Sequence, residues 1–463
     1  MGASEGDNSQ NKSVKLGDFL LRGASVTVVG KLGAAVVGYL MTSLVTRVLS
    51  LEDAGAYFLA FNLATFLGII GQAGVSIACL RLVSQACGSG DGARARAVFA
   101  SGFRVILVIS GCVAAVMTVA GSAITTAIFG SASLAAVSQW IALWGMCFAL
   151  ERLVGETFRG VLRLGMTTLF GGLFARVVTL MLVGILWLSA GDATLPQFLG
   201  LVVGGFALNS IVGVSTLRRS LSRLPGADST ETERQAVVTN RRLLTDAWPM
   251  FVNQLLLFGL LRMDTLVAGY HLPDSEVALY GVSARTVQLV GLITTVAVLV
   301  AQPLIARLHK RVPDFELERV VRVIGTLTAI PAFSVIGVLI AKGPALLQLF
   351  FGEAYLIEST LLTLMLVRFM TWPFFGVGGS ALNMTGHAKL LMVITCVSFV
   401  ISFVSSMSLA PIYGAEGVAA GFAMGSVCRQ LCAFIAVRVK VGIWTHMKLR
   451  GITEDIKWLR TRL

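Results

Sequence analysis

About twelve apolar segments, each long enough to cross a lipid bilayer, constrain the fold of this chain more than any other feature. Because unpaired backbone polar groups are excluded from lipid, segments of this length predict membrane-spanning α-helices. A hydrophobic content of 56% and a charged content of 13% exclude a soluble multidomain protein. The segments lie near residues 22–46, 54–80, 105–127, 138–158, 169–190, 197–217, 247–270, 277–303, 323–341, 359–382, 390–410 and 416–437.

The distribution of positive charge predicts which side of the membrane each loop faces. The formal net charge is +13, a value that would also suit a nucleic-acid-binding protein. Most of the 37 Lys and Arg residues, however, lie in the termini and in alternate loops on one side, and only Arg47 and Lys342 lie in the opposite loops. By the positive-inside rule, both termini are cytoplasmic. The basic excess then reflects topology and attraction to anionic lipids, and we expect no nucleic-acid partner.

Two stretches of the chain are similar to each other. They are Leu49–Leu63 and Leu272–Leu289, and with Tyr57 placed on Tyr280 the offset also places Leu49 on Leu272. Each stretch follows one apolar segment and opens the next. Since the repeat recurs after six spans, both copies run in the same direction through the membrane. This predicts an all-α polytopic protein with two six-helix lobes, related by a parallel pseudo-twofold repeat around a central cavity.

The polar segments divide the chain into four parts. We predict an N-terminal lobe at 1–217, a cytoplasmic linker at 218–246, a C-terminal lobe at 247–437 and a basic cytoplasmic tail at 438–463. The linker contains Pro225-Gly226 and a Ser/Thr/Glu run, which is typical of a connection between domains. The tail fits either an amphipathic helix on the inner leaflet or a solvated helix, with apolar residues at helical spacing: Ile452, Ile456, Leu459 and Leu463.

The segment Leu49–Gln85 carries a family-like pattern: Leu, a turn residue, two acidic positions, a small residue, an aromatic residue and an apolar helix with a glycine cluster. Its members are Leu49, Ser50, Glu52, Asp53, Gly55, Tyr57, Gly68, Gly71, Gly74 and Arg81. In this pattern the chain resembles the polysaccharide-biosynthesis membrane proteins, the O-antigen-type flippases. Leu260–Val290 is similar to the seventh and eighth spans of the same family. The motifs are degenerate, so they indicate the superfamily better than the substrate.

The resemblance implies the fold of the multidrug/oligosaccharidyl-lipid/polysaccharide flippase superfamily. Such a protein is a transporter and not an enzyme. It moves a polyprenyl-diphosphate-linked oligosaccharide by alternating access from the cytoplasmic to the outer leaflet of the bacterial cytoplasmic (inner) membrane, for cell-surface polysaccharide biosynthesis. The implied partners are the lipid-linked glycan, a polysaccharide polymerase and assembly proteins.

No catalytic residue, cofactor or metal site is predicted. The seven cysteines and four histidines are scattered without a metal-ligand spacing. Gly30-Lys31 resembles part of a phosphate loop, but Leu32 stands where such a loop needs Ser or Thr. Any driving force would therefore come from a H⁺ or Na⁺ gradient, or from consumption of the product outside.

Basic residues outnumber acidic ones seven to three within the predicted spans. A charge at mid-bilayer costs roughly 2.5–3.5 kcal/mol, so these side chains are expected to face water or partners. A cavity with this excess favours an anion such as a diphosphate and disfavours the cationic drugs of a multidrug exporter. The basic residues are Lys31, Arg152, Arg176, Arg262, Arg285, Arg368 and Arg429, and the acidic ones are Glu151, Glu156 and Asp264.

The fourth and first spans supply three candidate substrate-binding cations. Arg152, Glu156 and Arg159 share one helix face, which fits either an internal salt bridge or an arginine left free to bind phosphate. Lys31 lies deep enough in the first span that we expect it to line the cavity.

The seventh and eighth spans supply the remaining candidates. Asn253 and Asp264 share a face, and Asp264 is either a site for a coupling ion or a charge partner of Lys31 or Arg285. We expect Arg262, Arg285 and Gln288 to bind the phosphate or sugar of the substrate. Arg176, Arg368 and Arg429 lie nearer span ends, where snorkelling or structural pairing is expected.

The tenth span is predicted to bend. Pro373 lacks an amide hydrogen and is followed by a cluster of glycines that begins at Gly376. The bend is either a hinge or a packing kink, and we favour a hinge.

Two other functions compete with the flippase interpretation. One is an ion-coupled multidrug exporter of the same superfamily. The other is a membrane glycosyltransferase or polymerase, which needs a catalytic carboxylate cluster on a sizeable loop, whereas the predicted outer loops are short. A purely structural scaffold would leave the charges within the spans unexplained.

Overall fold

The structure, a computed structural model, describes residues 29–191, 193–225, 240–308, 313–355, 359–448 and 454–455. Within these ranges the chain is helical and has no strand, so the predicted all-α class is confirmed. The first lobe contains α1 Val29–Val48, α2 Leu51–Gln72, α3 Val75–Gly88, α4 Gly92–Phe129, α5 Ala132–Ala136, α6 Ser138–Gly160, α7 Leu164–Thr168, a π-helical turn Leu169–Leu173, α8 Phe174–Ala190 and α9 Leu195–Ser222. The second contains α10 Asn240–His271, α11 Asp274–Leu308, α12 Asp314–Phe351, a 3₁₀ turn Glu353–Tyr355, α13 Ser359–Phe375, α14 Gly378–Met384 and α15 Ala388–Val441.

The polytopic membrane architecture is confirmed, while the count of twelve spans stays a prediction. In the described part of the chain, nine helices are long and apolar enough to cross a membrane, or ten if α13 and α14 form one span bent by 55°. The 23 residues of α6 also have the length of a span. The 54 residues of α15 reverse direction at Gly414, where the backbone leaves the helical region (φ 55°, ψ −133°).

The repeated stretches form equivalent helix starts in the two lobes. Ser50 caps α2, since its Oγ accepts a hydrogen bond from the amide of Asp53 at 3.2 Å. Acidic residues in the first turn complement the helix dipole at both starts, with Glu52 and Asp53 in α2 and Asp274 and Glu276 in α11. The short acidic motif of each repeat therefore begins a helix.

The lobes pack closely at the side of these repeated starts, which we call the closed side. A Cβ on Gly55 would overlap the carbonyl oxygen of Asp274, so α2 and α11 touch through their backbones. Ser131 Oγ donates to Asp274 Oδ2 at 2.5 Å, and Ser43 Oγ donates to the carbonyl of Phe350 at 2.7 Å. These contacts join the two lobes and close the space between them at this side.

The second predicted span differs from the structure. Residues 54–80 were expected to form one helix, but α2 ends at Gln72 and α3 begins at Val75. Ala73 and Gly74 both adopt left-handed conformations (φ 45° and 75°). Their turn lies against Ala247 of α10, because a Cβ on Gly74 would overlap the carbonyl oxygen of that residue. Packing against the other lobe thus accompanies a break that hydropathy did not reveal.

The connecting segments are described in part. α9 continues to Ser222 and α10 begins at Asn240, so residues 226–239 of the predicted linker lie outside the described residues. After α15, residues 442–448 run back across the second lobe. The tail residues predicted to form an amphipathic face, Ile452, Ile456, Leu459 and Leu463, also lie outside the described residues.

Candidate substrate cavity

A cavity of about 770 Å³ lies between the lobes. Its wall is built from both halves of the chain, with residues of α1, α2, α6, α8 and α9 on one side and of α10, α11, α13 and α15 on the other. A site at the interface of two structural repeats is the position expected for a transported substrate.

The wall of this cavity is strongly basic. No Asp or Glu occurs among its lining residues in the described part of the chain. The side chains that define its polarity therefore favour anionic groups. The six basic residues in the wall are Lys31, Arg176, Arg262, Arg285, Arg368 and Arg429.

Two arginines of the second lobe share one aromatic ring of the first lobe. The guanidinium carbons of Arg262 and Arg285 lie 5.3 and 4.2 Å from the centroid of the Phe61 ring. Among the described residues, neither arginine has a carboxylate within ion-pair distance. The ring face stabilises each cation, but the two like charges are left uncompensated. Gln288 lies one turn from Arg285 and also lines the cavity.

Arg368 also faces the cavity, but its charge is balanced. Its Nη1 donates to Asp264 Oδ2 at 2.7 Å, and its Nη2 donates to the carbonyl of Leu260. The two side chains are only 10% and 8% exposed. Asp264 Oδ1 accepts the amide of Thr265 at 2.9 Å. The aspartate that the sequence offered to a coupling ion or a charge partner therefore pairs with Arg368, and not with Lys31 or Arg285.

Arg176 faces a second buried carboxyl at the break in the fifth predicted span. A Cβ on Gly172 would lie 2.7 Å from Glu151 Oε1 and 3.2 Å from Arg176 Nη1, so both side chains converge on that glycine. Glu151 is 1% exposed, so its carboxyl is enclosed beside the arginine. Arg176 is thus the second cavity cation with an acidic neighbour.

The charged face of the fourth predicted span forms an internal network outside the cavity wall. Glu156 lies 4.0 Å from Arg152 Nη1 and 3.4 Å from Arg159 Nη1. The two arginine side chains are 42% and 58% exposed. None of the three lines the cavity, but their charges interact with that of Lys31, which does. They therefore lie beside the part of the cavity that Lys31 occupies.

Asn253, which the sequence predicts to act beside Asp264, does not lie at the cavity. It is exposed and does not line the cavity. Its neighbour Gln254 is instead buried between the lobes, where its Oε1 accepts a hydrogen bond from Gln72 Nε2 at 2.8 Å. A rotation of one residue around α10 exchanges the two positions, and the sequence does not determine that rotation.

The bend expected near Pro373 is present after α13. Pro373 is buried in the last turns of that helix, and Gly376 adopts φ 76° before α14 begins. The carbonyl oxygen of Thr445 occupies the space that a Cβ on Gly376 would need, and Thr445 Oγ1 donates to the carbonyl of Phe375 at 2.7 Å. The segment after the last helix therefore packs directly on the bend.

Sequence reasoning missed three of the cavity cations. The sequence predicts that Arg176, Arg368 and Arg429 snorkel or pair near span ends; Arg368 does pair, with Asp264, but all three also line the cavity. Arg368 lies nine residues after the start of α13, which is too deep to reach a membrane surface easily. The aromatic wall formed by Tyr57, Phe61 and Trp144 was also missed. The described residues contain no group of three or more His, Cys, Asp or Glu side chains that could hold a metal ion.

The fold is that of solved transporters. One similar structure is an inward-facing multidrug resistance MATE family transporter of the MOP superfamily, with a TM-score of 0.73, 15% identity and coverage of 94% of this chain and 99% of that chain. An outward-facing MATE family transporter has a TM-score of 0.59, 14% identity and coverage of 92% and 95%. A MOP superfamily transporter from Pyrococcus furiosus, described by the reverse polarity of its binding pocket, has a TM-score of 0.55, 15% identity and coverage of 93% and 95%.

At these identities the structures establish the fold alone. No curated protein matches the sequence. A family model described as polysaccharide biosynthesis protein matches residues 20–309, which is more than half of the chain. The chain therefore belongs to the polysaccharide biosynthesis protein family.

Proposed function

We propose that this protein is a flippase that moves a polyprenyl-diphosphate-linked oligosaccharide from the cytoplasmic to the outer leaflet of a bacterial inner membrane. The observation that carries the proposal is the sign of the cavity, whose described lining includes six basic and no acidic residues. A diphosphate is the anionic group that such a lipid presents at the membrane surface. Membership of the polysaccharide biosynthesis family supports the same substrate class.

The closed side is proposed to be the outer side of the membrane. The repeated helix starts lie there, and the positive-inside rule places them outside. The cavity then opens towards the cytoplasm, where lipid-linked glycans are assembled. The higher TM-score to the inward-facing than to the outward-facing MATE structure supports this assignment.

The cations along the cavity suggest the path of the substrate. Lys31, beside the network of Arg152 and Arg159, attracts the anionic headgroup to the opening. Arg262 and Arg285 bind anionic groups farther in, while the polyprenyl tail stays in lipid. Separation of the lobes at the α2–α11 contact, with bending at Gly376, then exposes the cavity to the other side. A H⁺ or Na⁺ gradient is the proposed driving force.

The sign of the cavity disfavours the competing transport function. A multidrug exporter that carries cations would meet uncompensated Arg262 and Arg285 in the wall, and like charges in a site of low dielectric repel strongly. The rival glycosyltransferase or polymerase needs carboxylates near the reacting sugar, but the cavity wall presents none in the described part of the chain. Transport of an anionic lipid accounts for the basic residues of the cavity wall better than either alternative function.

A leaflet-resolved assay tests the proposal. Wild-type protein in proteoliposomes should expose a lipid-linked oligosaccharide on the opposite leaflet. Arg285→Ala and Lys31→Ala should each slow this step by about tenfold or more, because each removes a charge-assisted contact to the anion. Arg104→Ala is a matched control, since Arg104 is an exposed cation on α4 that does not line the cavity.

Two outcomes would contradict the proposal. Unchanged translocation in both cavity variants would refute the assignment of the binding residues. Export of a cationic drug, with no movement of any lipid-linked oligosaccharide, would refute the function itself.

A further inference from the structure

We infer that the deep end of the cavity, formed by Arg262 and Arg285 on the Phe61 ring, binds an anionic substituent of the glycan, and that the transported glycan is therefore acidic. This inference rests on the proposed function and specifies its substrate. It follows from how far each cation lies from the closed side and from which cations are already balanced by carboxyl groups.

The cations without an ion-pair partner lie at different depths in the cavity. At 1.5 Å per residue, Arg262 is about 14 Å from the closed-side end of α10, and Arg285 is about 17 Å from the corresponding end of α11. Lys31 is about 26 Å from the closed-side end of α1. Arg429 lies between these levels, about 22 Å along α15 from the reversal at Gly414. Lys31 is thus nearest the opening, while Arg262 and Arg285 form a deep pair.

The charge balance leaves more cations than a diphosphate needs. Arg368 is paired with Asp264, and Arg176 has the carboxyl of Glu151 as a neighbour at Gly172 without a direct ion pair, so neither is counted as free. Lys31, Arg262, Arg285 and Arg429 have no ion-pair partner among the described residues. A diphosphate esterified at both ends carries about two negative charges, one on each phosphate. About half of the free positive charge is therefore left for another anion.

The attachment of the lipid decides which depth receives which group. The diphosphate is bonded directly to the polyprenyl tail, which stays in the leaflet on the open side, so the shallow cations meet it first. Only the glycan extends farther towards the closed side. The deep pair therefore faces sugar residues and not the diphosphate.

The chemistry of the deep wall also fits a sugar acid. Phe61 lies beneath both arginines, and Tyr57 and Trp144 contribute further aromatic surface to the same cavity. Gln288 adds an amide that can both donate and accept hydrogen bonds. A planar guanidinium binds a carboxylate through two parallel hydrogen bonds. Two uncompensated arginines on one ring repel each other, and a carboxylate between them removes that cost.

Binding of three lipids to the full-length protein in nanodiscs tests the inference. The probes are a polyprenyl diphosphate without sugar, the same lipid with a neutral disaccharide, and the same lipid with a disaccharide containing one uronic acid. We expect the acidic lipid to bind about tenfold more tightly than the neutral one. This preference should disappear in Arg262→Gln and Arg285→Gln, remain in part in Arg285→Lys, and be unchanged in Arg104→Gln.

The outcomes separate this inference from the proposed function. Equal binding of the acidic and neutral lipids by the wild type, or a preference retained in both glutamine variants, would overturn the acidic-glycan inference alone. If Arg285→Gln lowers the affinity for the sugar-free lipid as much as that for the acidic lipid, the diphosphate binds at the deep pair. That result would also overturn the acidic-glycan inference. If none of the three lipids binds to wild-type protein of normal thermal stability, both the acidic-glycan inference and the proposed function are contradicted.

Discussion

The two lobes share a repeat but break their helices at different places. In the first lobe, the second predicted span is interrupted at Ala73–Gly74 and the fifth at the π-helical turn Leu169–Leu173. In the second lobe, α11 runs through the position equivalent to the first break, and the interruption lies at Gly376 in the tenth predicted span. The equivalent part of the first lobe, in α6, is continuous. The repeat thus determines where helices start, whereas contacts between particular elements determine where they break.

The buried charges differ between the lobes in the same way. In the second lobe, Asp264 and Arg368 are in direct contact at 2.7 Å. In the first lobe, Glu151 and Arg176 converge on Gly172 without a contact shorter than the 4.0 Å that defines an ion pair. Among the described cavity cations without an ion-pair partner, Arg262, Arg285 and Arg429 belong to the second lobe and Lys31 to the first. The two lobes therefore share a scaffold but not the placement of their buried charges.

The largest expected effect comes from breaking the direct ion pair of the second lobe. Asp264→Ala leaves Arg368 buried without its partner and should lower stability by roughly 3–5 kcal/mol. Glu151→Ala in the first lobe should cost less, because Glu151 makes no direct ion pair. Thermal unfolding in detergent, compared between the two variants, measures the difference. Equal losses would show that the two lobes hold their buried carboxyls equally tightly.

A glycine substitution tests the break of the second lobe. Gly376→Ala combines a positive φ with a clash against the Thr445 carbonyl, so we expect a loss of roughly 1–3 kcal/mol. Gly184→Ala is the matched control, since its added Cβ would meet no atom within 4 Å in the middle of α8 and should gain up to about 1 kcal/mol. If both variants unfold at the wild-type temperature, the packing of the segment after α15 on the bend does not stabilise the protein.

The contact between lobes is tested at equivalent positions of the repeat. The offset that aligns the two tyrosines also aligns Gly55 with Ala278. Gly55→Ala should destabilise the closed side by roughly 1–3 kcal/mol, because its Cβ would overlap the Asp274 backbone. Ala278→Gly should cost only about 1 kcal/mol. Crosslinking yield between cysteines placed across the closed side would reveal whether Gly55→Ala favours opening there.

The smallest expected effect concerns pH and the ends of the lobes. In the first lobe, the start of α4 is joined to the residues after α9 by a backbone hydrogen bond: the amide of Gly92 donates to the carbonyl of Pro225 at 3.0 Å. This contact involves no titratable group. The second lobe uses Asp455. Burial raises the pKa of this carboxyl, but hydrogen bonds from Lys448 and Arg319 outweigh burial and lower it below its ordinary value.

A lowered pKa gives the direction of the acid effect. The interaction stabilises the attached tail above the carboxyl's ordinary pKa of about 4 and is lost as the pH falls through the lower folded value. Limited proteolysis near residue 448 should therefore accelerate only in acid, and Asp455→Asn should remove this pH dependence. Acid-dependent cleavage after residue 225 as well would contradict the comparison.

The sequence predicted most of the helices and few of the contacts. Apolar length was sufficient for the all-helical membrane fold, because lipid allows few other backbone arrangements. The break at Ala73–Gly74 was missed because Gly74 sits within an otherwise continuous apolar segment. The pairing of Asp264 with Arg368 spans 104 residues, and no local pattern indicates a partner at that distance. From the sequence alone, Lys31 and Arg285 were the expected charge partners of this aspartate.

By itself, the sequence determined that this chain is a helical membrane protein with two similar lobes, an excess of positive charge within its spans and membership of a polysaccharide biosynthesis family. Only the tertiary structure decided which charges meet in the cavity and which are balanced beside it. The physical reason is helix rotation. One residue of rotation moves a side chain by about 100° around its axis, so packing between helices, and not hydropathy, selects Gln254 over Asn253 and brings Arg176, Arg368 and Arg429 to the cavity wall.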